Sequence, residues 1–282
     1  NYFIYDYDKS PKIYCISDEN KRGILMINIT WGNLMPPRCS QAYIVNFLLA
    51  PSFFNNPDLG KSIQESSFYQ RKDGTILDAI HRLYPGVKRV ASYGTAQDIL
   101  RKSEEDLIRL REAGLGIVYV GAESGDNEIL KYINKGVTAE QTIEAGQKLK
   151  RCGIATSVTL ISGLGGRGKV EEHALSCAKL ITAMNPEYAS FLTLRLYEGT
   201  PMYADVVEGR FQRITPDEIV DEMEIFLKNV DSPGTVFRTN HASNYVILAG
   251  TLNGDIPAML KKLEEAKRTH HYRKFRETGD LL

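Results

Sequence analysis

Two glycine-containing stretches carry most of the side chains that could do chemistry in this sequence. In the first, Gly121 and Gly125 flank Glu123 and Ser124. Glycines let a ligand approach the backbone closely, and a carboxylate beside a hydroxyl can bind an amine or a ribose. A strand-to-helix turn capped by Ser124 or Asp126 explains the same residues without any ligand, so both interpretations stay open.

The second stretch, Ser162–Gly166, reads SGLGG. Gly163 and Gly165 free backbone N–H groups in such a loop to cradle a carboxylate, an adenine or a phosphate. The spacing is neither that of a dinucleotide site nor that of a P-loop, because Lys169 is followed by Val170 instead of Ser or Thr. A loop that only joins a strand to a helix is the alternative.

Further polar side chains lie in the second half of the chain. The guanidinium of Arg195 is suited to a carboxylate, although an ion pair with a neighbouring helix would also use it. Residues 240–245 (NHASNY) either line a pocket or satisfy their own turn. The pattern indicates structural roles for His81 and His173 on helices, and no spacing of His, Cys, Asp and Glu indicates zinc.

Alternating strands and helices must position these groups. Hydrophobic runs predict strands over Val87–Tyr93, Ile117–Gly121, Ile154–Ser162 and Ala189–Leu196. Periodicity and caps predict helices between them and again over about 201–207, 216–229 and 255–267. The residues Thr138–Gln141 predict a capping box, and Ser103–Asp106 resemble one with Asp in place of Glu or Gln. This order predicts right-handed crossovers and a parallel sheet, at whose carboxyl edge the two glycine stretches and Arg195 come together.

The first quarter of the chain is less regular. Gly23–Thr30 predicts a buried strand, but residues 33–70 contain only four charged residues and no capped helix. A long segment without pattern inside a regular domain is either functional or damaged. Its single thiol is Cys39.

Composition sets wider limits. The 282 residues are 43% hydrophobic and 25% charged, with a formal net charge of zero, which indicates a globular protein and gives no evidence for nucleic acid as a partner. The longest apolar runs are too short to cross a membrane, and no signal peptide is visible, although a first residue other than Met is also typical of a fragment. We expect a cytoplasmic protein whose cysteines form no disulfide framework and which acts on a small molecule or on an unknown substrate; the oligomeric state is not predicted.

Several stretches together resemble one known family, the radical S-adenosylmethionine (SAM) proteins. Residues 23–32 resemble its first barrel strand, and residues 88–141 its third and fourth strands with a SAM-contacting turn. Residues 153–174, 191–203 and 237–245 resemble the fifth strand with its glycine loop, the sixth strand and a C-terminal motif. The resemblance covers roughly three quarters of the chain.

The resemblance implies an α/β fold, a partial (β/α)6 TIM-like barrel, here with an atypical second βα unit. It also implies SAM and a [4Fe–4S] cluster as cofactors, with the cluster on three cysteines and SAM on the fourth iron. Reduction of the cluster then cleaves SAM to a radical that abstracts hydrogen from a substrate. The SAM contacts carried over to this chain are Gly121, Glu123, Ser124, Ser162, Gly163, Gly165 and Arg195.

The chain departs from the family at the cluster. The family places C-x-x-x-C-x-x-C after the first strand, whereas this chain has TWGNLMPPRCSQ, in which only Cys39 can bind metal as a thiolate. Three explanations stay open: a damaged or frameshifted segment, a pseudoenzyme that keeps the barrel for binding, or a cluster held by Cys39 with distant cysteines. Cys152 and Cys177 fall on predicted helices and are expected to act as small hydrophobic residues.

The predicted organisation is an N-terminal segment (1–22), a radical SAM-like barrel core (23–230) and a C-terminal extension (231–282). The predicted function is that of a radical SAM oxidoreductase-like protein of unknown substrate, impaired in cluster binding. The alternatives are a noncatalytic SAM- or nucleotide-binding barrel and a cluster-free barrel enzyme that uses Glu123, Arg195 or His241 directly.

Overall fold

The computed structural model describes Leu77, His81 and residues 89–273. The predictions for the strand Gly23–Thr30, for the segment 33–70 and for Cys39 lie outside these residues, as does the atypical second βα unit. The described strands are β1 (Val90–Tyr93), β2 (Leu115–Glu123), β3 (Ala155–Ser162), β4 (Tyr188–Thr193), β5 (Val236–Arg238) and β6 (Ala249–Thr251). The helices are α1 (Ala96–Arg101), α2 (Glu104–Glu112), α3 (Asn127–Tyr132), α4 (Ala139–Arg151), α5 (Val170–Met184), α6 (Pro201–Val207), α7 (Pro216–Asn229) and α8 (Ile256–Thr269).

The six described strands form one sheet in chain order, from β1 to β6. The first five are parallel, and β6 runs antiparallel to β5. Helices cross over between the parallel strands, so the carboxyl ends of β1 to β5 lie at one edge of the sheet. This confirms the predicted α/β class. A partial TIM-like barrel is consistent with the sheet, which does not close on itself within the described residues.

Strand alternation separates two faces of the sheet. In β3 every second side chain is buried, from Thr156 to Ser162, and these side chains pack against the helices. Two hydrophobic clusters fill this layer. One joins β1 and β2 to α1, α2 and α4, and the other joins β3, β4 and β5 to α5, α7 and α8.

The four strands predicted within the described residues are confirmed, as are the three C-terminal helices. The capping box predicted at Thr138 is present, with Gln141 completing it, whereas Ser103 caps α2 through the Asp106 N–H alone. Strands β5 and β6 were not predicted. Since β5 pairs with β4, the sheet continues past residue 230, where the predicted barrel core ends.

Candidate active site at the carboxyl edge of the sheet

The register of the strands brings the predicted site residues to one edge. Glu123 ends β2 and lies opposite Leu160 of β3, and Ser162 at the end of β3 lies opposite Thr193 of β4. Arg195 follows two residues after Thr193. The ends of three adjacent strands therefore present a carboxylate, a buried hydroxyl and a guanidinium.

Glu123 has an unusual backbone conformation that aims its carboxylate along the edge. Its φ is +65°, a left-handed value that few residues other than glycine adopt. The side chain folds back over Gly121, since a Cβ built there would lie 2.3 Å from Glu123 Oε1. Lys135 Nζ donates to the same oxygen at 2.8 Å. Gly121 is thus needed for the carboxylate to lie where it does.

The Glu123 carboxylate keeps capacity for a ligand. Its side chain is 21% exposed, and among the described residues only Lys135 bonds to it. A carboxylate has about four acceptor positions, so several remain for hydroxyl or amine donors. Lys135 was not recognised from the sequence. It fixes the carboxylate and partly balances its charge.

Ser124 lies inside the turn. Its side chain is fully buried, and its Oγ accepts a hydrogen bond from the Asp126 N–H at 3.0 Å. Asp126 in turn accepts from the N–H groups of Glu128 and Ile129 and so caps α3. These contacts account for both residues as parts of the strand-to-helix turn and place Ser124 as a support for Glu123.

The loop after β3 is closely packed rather than open. Gly163 has a φ of +82°, and its N–H donates to Glu222 Oε2 at 2.9 Å. The Gly166 N–H donates to the Gly163 carbonyl, and a Cβ at Gly165 would lie 3.1 Å from His173 Cβ. The N–H groups of Gly163 and Gly166 are therefore already used inside the protein.

One polar atom in this loop has no partner. Ser162 is fully buried, and its Oγ makes no hydrogen bond within the described part of the chain. Buried hydroxyls are nearly always hydrogen-bonded, because an unpaired one retains the cost of its desolvation. This hydroxyl, on the side of β3 that packs against the helices, thus keeps unused hydrogen-bonding capacity inside the protein.

Three buried side chains behind the sheet, those of Glu222, His173 and Cys177, form a chain of polar contacts that holds the loop after β3. Glu222 of α7 accepts from Gly163 through Oε2, and its Oε1 lies 2.7 Å from His173 Nδ1 on α5. The other ring nitrogen of His173 lies 3.5 Å from Cys177 Sγ. Burial alone lowers the pKa of His173, but Cys177 and Glu222 outweigh burial and raise that pKa well above its usual value.

Sequence reasoning gave no role to Glu222 and treated His173 as an ordinary helix residue. A signal for Glu222 was available, because it lies among Ile219, Val220, Met223 and Phe226 on the buried face of α7. A carboxylate on such a face requires a buried partner. Nothing in the sequence indicated that this partner is on α5.

Arg195 is half-buried and makes no hydrogen bond or ion pair with any described residue. The alternative of an ion pair with a neighbouring helix is therefore not realised in this part of the chain. The adjoining loop is fixed to β4, since the Thr193 N–H donates to Ser243 Oγ at 3.0 Å and Thr193 Oγ1 donates to Asn244 Oδ1 at 2.9 Å. That loop carries His241, whose pKa is lowered by burial and by the charges of Arg195 and Arg273.

The described cysteines do not fit an iron–sulfur cluster at this edge. Cys152 is buried at the end of α4 in one hydrophobic cluster, and Cys177 is buried within α5 in the other. This agrees with their predicted role as small hydrophobic residues. No group of three metal-binding side chains occurs among the described residues, and the sequence supplies only Cys39 in the expected loop, where three thiolates are required.

The donor set fits SAM better than it fits the cluster. Glu123 offers acceptors for hydroxyls, and Arg195 offers a cation for a carboxylate. Among the described helices, none has the length and apolar character needed to cross a membrane.

Comparison with known proteins identifies a family over part of the chain. The family model described as the radical SAM superfamily matches residues 66–181, which include β1, β2, β3 and most of α5. These residues match a radical SAM domain. The family resemblance seen in the sequence is therefore confirmed, and the carboxyl edge of β2 and β3 lies inside the matched range.

Two curated relatives each match part of this chain over part of their own length. An uncharacterized methyltransferase of Pyrococcus horikoshii is 31% identical over 94 residues, which are 33% of this chain and 20% of that protein. A tRNA uridine(34) acetyltransferase of Methanocaldococcus infernus is 28% identical over 121 residues, 42% of this chain and 22% of that protein. The chain spans about a fifth of the length of these relatives.

Solved structures of other proteins are also similar to this chain. The archaeal Methanocaldococcus infernus Elp3 with an N-terminal deletion is 19% identical with a TM-score of 0.48, covering 76% of this chain and 46% of that one. Methylornithine synthase is 14% identical with a TM-score of 0.42, covering 70% of this chain and 63% of that one.

Proposed function

We propose that this radical SAM domain binds SAM through the adenosyl part at the carboxyl edge of β2, β3 and β4, and that the chain as written does not hold a [4Fe–4S] cluster. The observation that carries the proposal is the Glu123 carboxylate, which lies over Gly121 with acceptor capacity unused. When bound, SAM would supply an electrophilic sulfonium centre next to its adenosyl group.

Each predicted contact has a role in this proposal. Glu123 accepts from the ribose hydroxyls, Gly121 makes room for that carboxylate, and Ser124 holds the turn. Gly163 and Gly165 keep the loop close to the strand end, where the Ser162 side chain is buried. Arg195 adds a cation that suits the carboxylate of the amino-acid end.

The proposal excludes a [4Fe–4S] cluster because the cysteines do not provide the three thiolates that it needs. The loop in which the family has three cysteines contains one thiol, Cys39, in this sequence. The two cysteines that the structure describes, Cys152 and Cys177, are buried behind the sheet, so these residues give no three-thiolate site. The predicted oxidoreductase activity remains a prediction, since the names of the curated relatives indicate methyl and acetyl transfer. A cytoplasmic location belongs to the proposal and is supported by two free thiols.

Calorimetric titration of the full chain with SAM tests the proposal. We expect weak binding, on the order of 0.1–1 mM, because the iron that would chelate the amino-acid end is missing. Glu123→Gln should weaken binding about tenfold, since a charge-assisted hydrogen bond is lost. Glu128→Gln is the matched control, because Glu128 is an exposed carboxylate on the first turn of α3. No binding by the wild type, or equal binding by the two variants, would contradict the proposal.

A further inference from the structure

The loop after β3 is attached to α7 by a buried hydrogen bond and by an exposed ion pair. In the hydrogen bond, the Gly163 N–H donates to Glu222 Oε2 at 2.9 Å, and the Glu222 side chain is only 2% exposed. In the ion pair, Arg167 Nε lies 2.8 Å from Glu218 Oε1, and the Arg167 side chain is 50% exposed. Exposed ion pairs contribute little, so the bond to Glu222 is the contact that holds the start of the loop.

Glu222 contacts this loop from the side that faces the helices. Side chains alternate along β3, and Ser162, the residue before Gly163, is buried on the side that packs against the helices. Glu222 lies on the buried face of α7 in that layer, whereas Glu123 at the carboxyl edge is partly exposed. Glu222 is therefore not placed to contact a ligand at the edge, and it can affect such a ligand only through Gly163.

His173 supplies the countercharge for Glu222. Its Nδ1 lies 2.7 Å from Glu222 Oε1, and its side chain is fully buried. The groups that act on its charge are Cys177 of the same helix, with Sγ 3.5 Å from Nε2, and Glu222 of α7. From the loop after β3, Gly165 lies against His173 Cβ and carries no charge. A protonated ring balances Glu222, whereas a neutral ring leaves a buried carboxylate without a countercharge.

We propose that Glu222 is a positioning residue of the adenosyl site, which holds the loop after β3 in its ligand-binding conformation through the Gly163 N–H while His173 carries a proton. This role rests on the proposed function, in which that loop lies beside the ligand. When His173 loses its proton, the buried charge of Glu222 is unfavourable, and opening of the loop relieves it by admitting water. The affinity for the ligand then falls in proportion to the fraction of molecules whose loop stays closed.

Titration of the full chain with methylthioadenosine between pH 6 and 9.5 tests this role. Burial lowers the pKa of His173, but Cys177 and Glu222 raise it by more, so the ring loses its proton well above pH 6.5. We expect a constant dissociation constant at low pH and an increase of about tenfold as the pH rises through that pKa. The midpoint of the increase should coincide with the titration of the His173 ring, which nitrogen NMR of the same protein records.

Two variants separate positioning from a loss of folding stability. Glu222→Gln keeps an acceptor for Gly163 but removes the charge, so the affinity should be about fivefold weaker at pH 6.5 and should no longer depend on pH. Cys177→Ala leaves the bond to Gly163 in place but removes one cause of the raised pKa of His173. The pH at which its affinity falls should therefore be lower than in the wild type, which a purely structural role would not produce. Glu224→Gln, in the partly exposed pair with Lys228, is the matched control and should reproduce the wild-type profile.

The outcomes distinguish this role from the proposed function. Failure of methylthioadenosine to bind the wild type at pH 6.5 would overturn both. Binding at pH 6.5 with an affinity that stays constant up to pH 9.5, or a Glu222→Gln profile that follows the control, would overturn the positioning role alone. The protection factor of the Gly163 amide, measured without ligand, should fall over the same pH range in the wild type and stay constant in Glu222→Gln. A wild-type protection factor that does not change with pH would also overturn the role.

Discussion

Glu222 Oε2 accepts a hydrogen bond from the Gly163 N–H at 2.9 Å, and this contact joins α7 to the loop at the end of β3. The same carboxylate lies 2.7 Å from His173 Nδ1, so one buried side chain serves two partners. The glycine loop of the candidate site is therefore held from behind, by the helix layer.

The Glu222 contact predicts a large and specific loss of stability. Glu222→Gln keeps the shape but removes the charge that His173 and Gly163 share, and breaking a buried charged pair costs about 3 kcal/mol of unfolding free energy. Glu224→Gln, on the same helix but in the partly exposed pair with Lys228, should cost less than about 1 kcal/mol. Urea unfolding of both variants measures the difference. Equal losses of unfolding free energy would show that the buried Glu222 contact stabilises the protein no more than the partly exposed pair does.

The pKa values of His173 and His241 should be shifted in opposite directions from that of a free histidine. His173 should stay protonated at pH 7.5, because Cys177 and Glu222 outweigh its burial and raise its pKa, whereas burial and two arginines lower the pKa of His241. Imidazole nitrogen shifts of the folded protein read both states directly. A neutral His173 ring at pH 7.5 would contradict the claim that Cys177 and Glu222 raise the pKa of His173.

The raised pKa of His173 also predicts how stability depends on pH. A group whose pKa is higher in the folded than in the unfolded state contributes fully below its unfolded value, about 6.5, and this contribution is lost as the pH rises through the folded pKa. Urea unfolding between pH 6 and 9.5 should show a falling free energy of unfolding. The fall should be smaller in His173→Gln, and parallel profiles would exclude His173 as its source.

Much of the fold could be predicted from local sequence, because periodicity and caps act over a few residues. Thr138 and Gln141 cap α4 as expected, and the glycine stretches follow β2 and β3. The contacts that finish the site join residues far apart: Lys135 to Glu123, and Glu222 to Gly163, which lie 12 and 59 positions apart. The packing of α5 and α7 decides which buried carboxylate accepts from which N–H. Local sequence patterns carry no information about that packing.

The glycine loop after β3 offers a matched pair of substitutions. Gly163→Ala should cost about 1–3 kcal/mol of unfolding free energy, since φ is +82° and the new Cβ would lie 3.1 Å from Ile219 Cδ1. Gly168→Ala in the same loop should be nearly neutral, because nothing lies within 4 Å of its Cβ position. Thermal unfolding of both variants tests this, and similar melting temperatures would mean that the loop adapts freely.

Iron content tests the absence of the cluster. After anaerobic reconstitution with iron and sulfide, followed by desalting, the full chain should retain far less than the four irons of one cluster, because a lone thiol at Cys39 cannot hold it. Cys39→Ala should retain the same small amount. Close to four irons per chain, lost in Cys39→Ala, would contradict this part of the proposal.

Hydrogen exchange with and without methylthioadenosine tests the location of the adenosyl site most directly, because it reports each strand end separately. We predict slower exchange at 121–126 and 162–166 when the ligand is bound, no change along α8, and loss of the effect in Glu123→Gln but not in Glu128→Gln. Protection confined to other segments, or unchanged exchange at a methylthioadenosine concentration that calorimetry shows to be saturating, would contradict an adenosyl site at the carboxyl edge of β2 and β3.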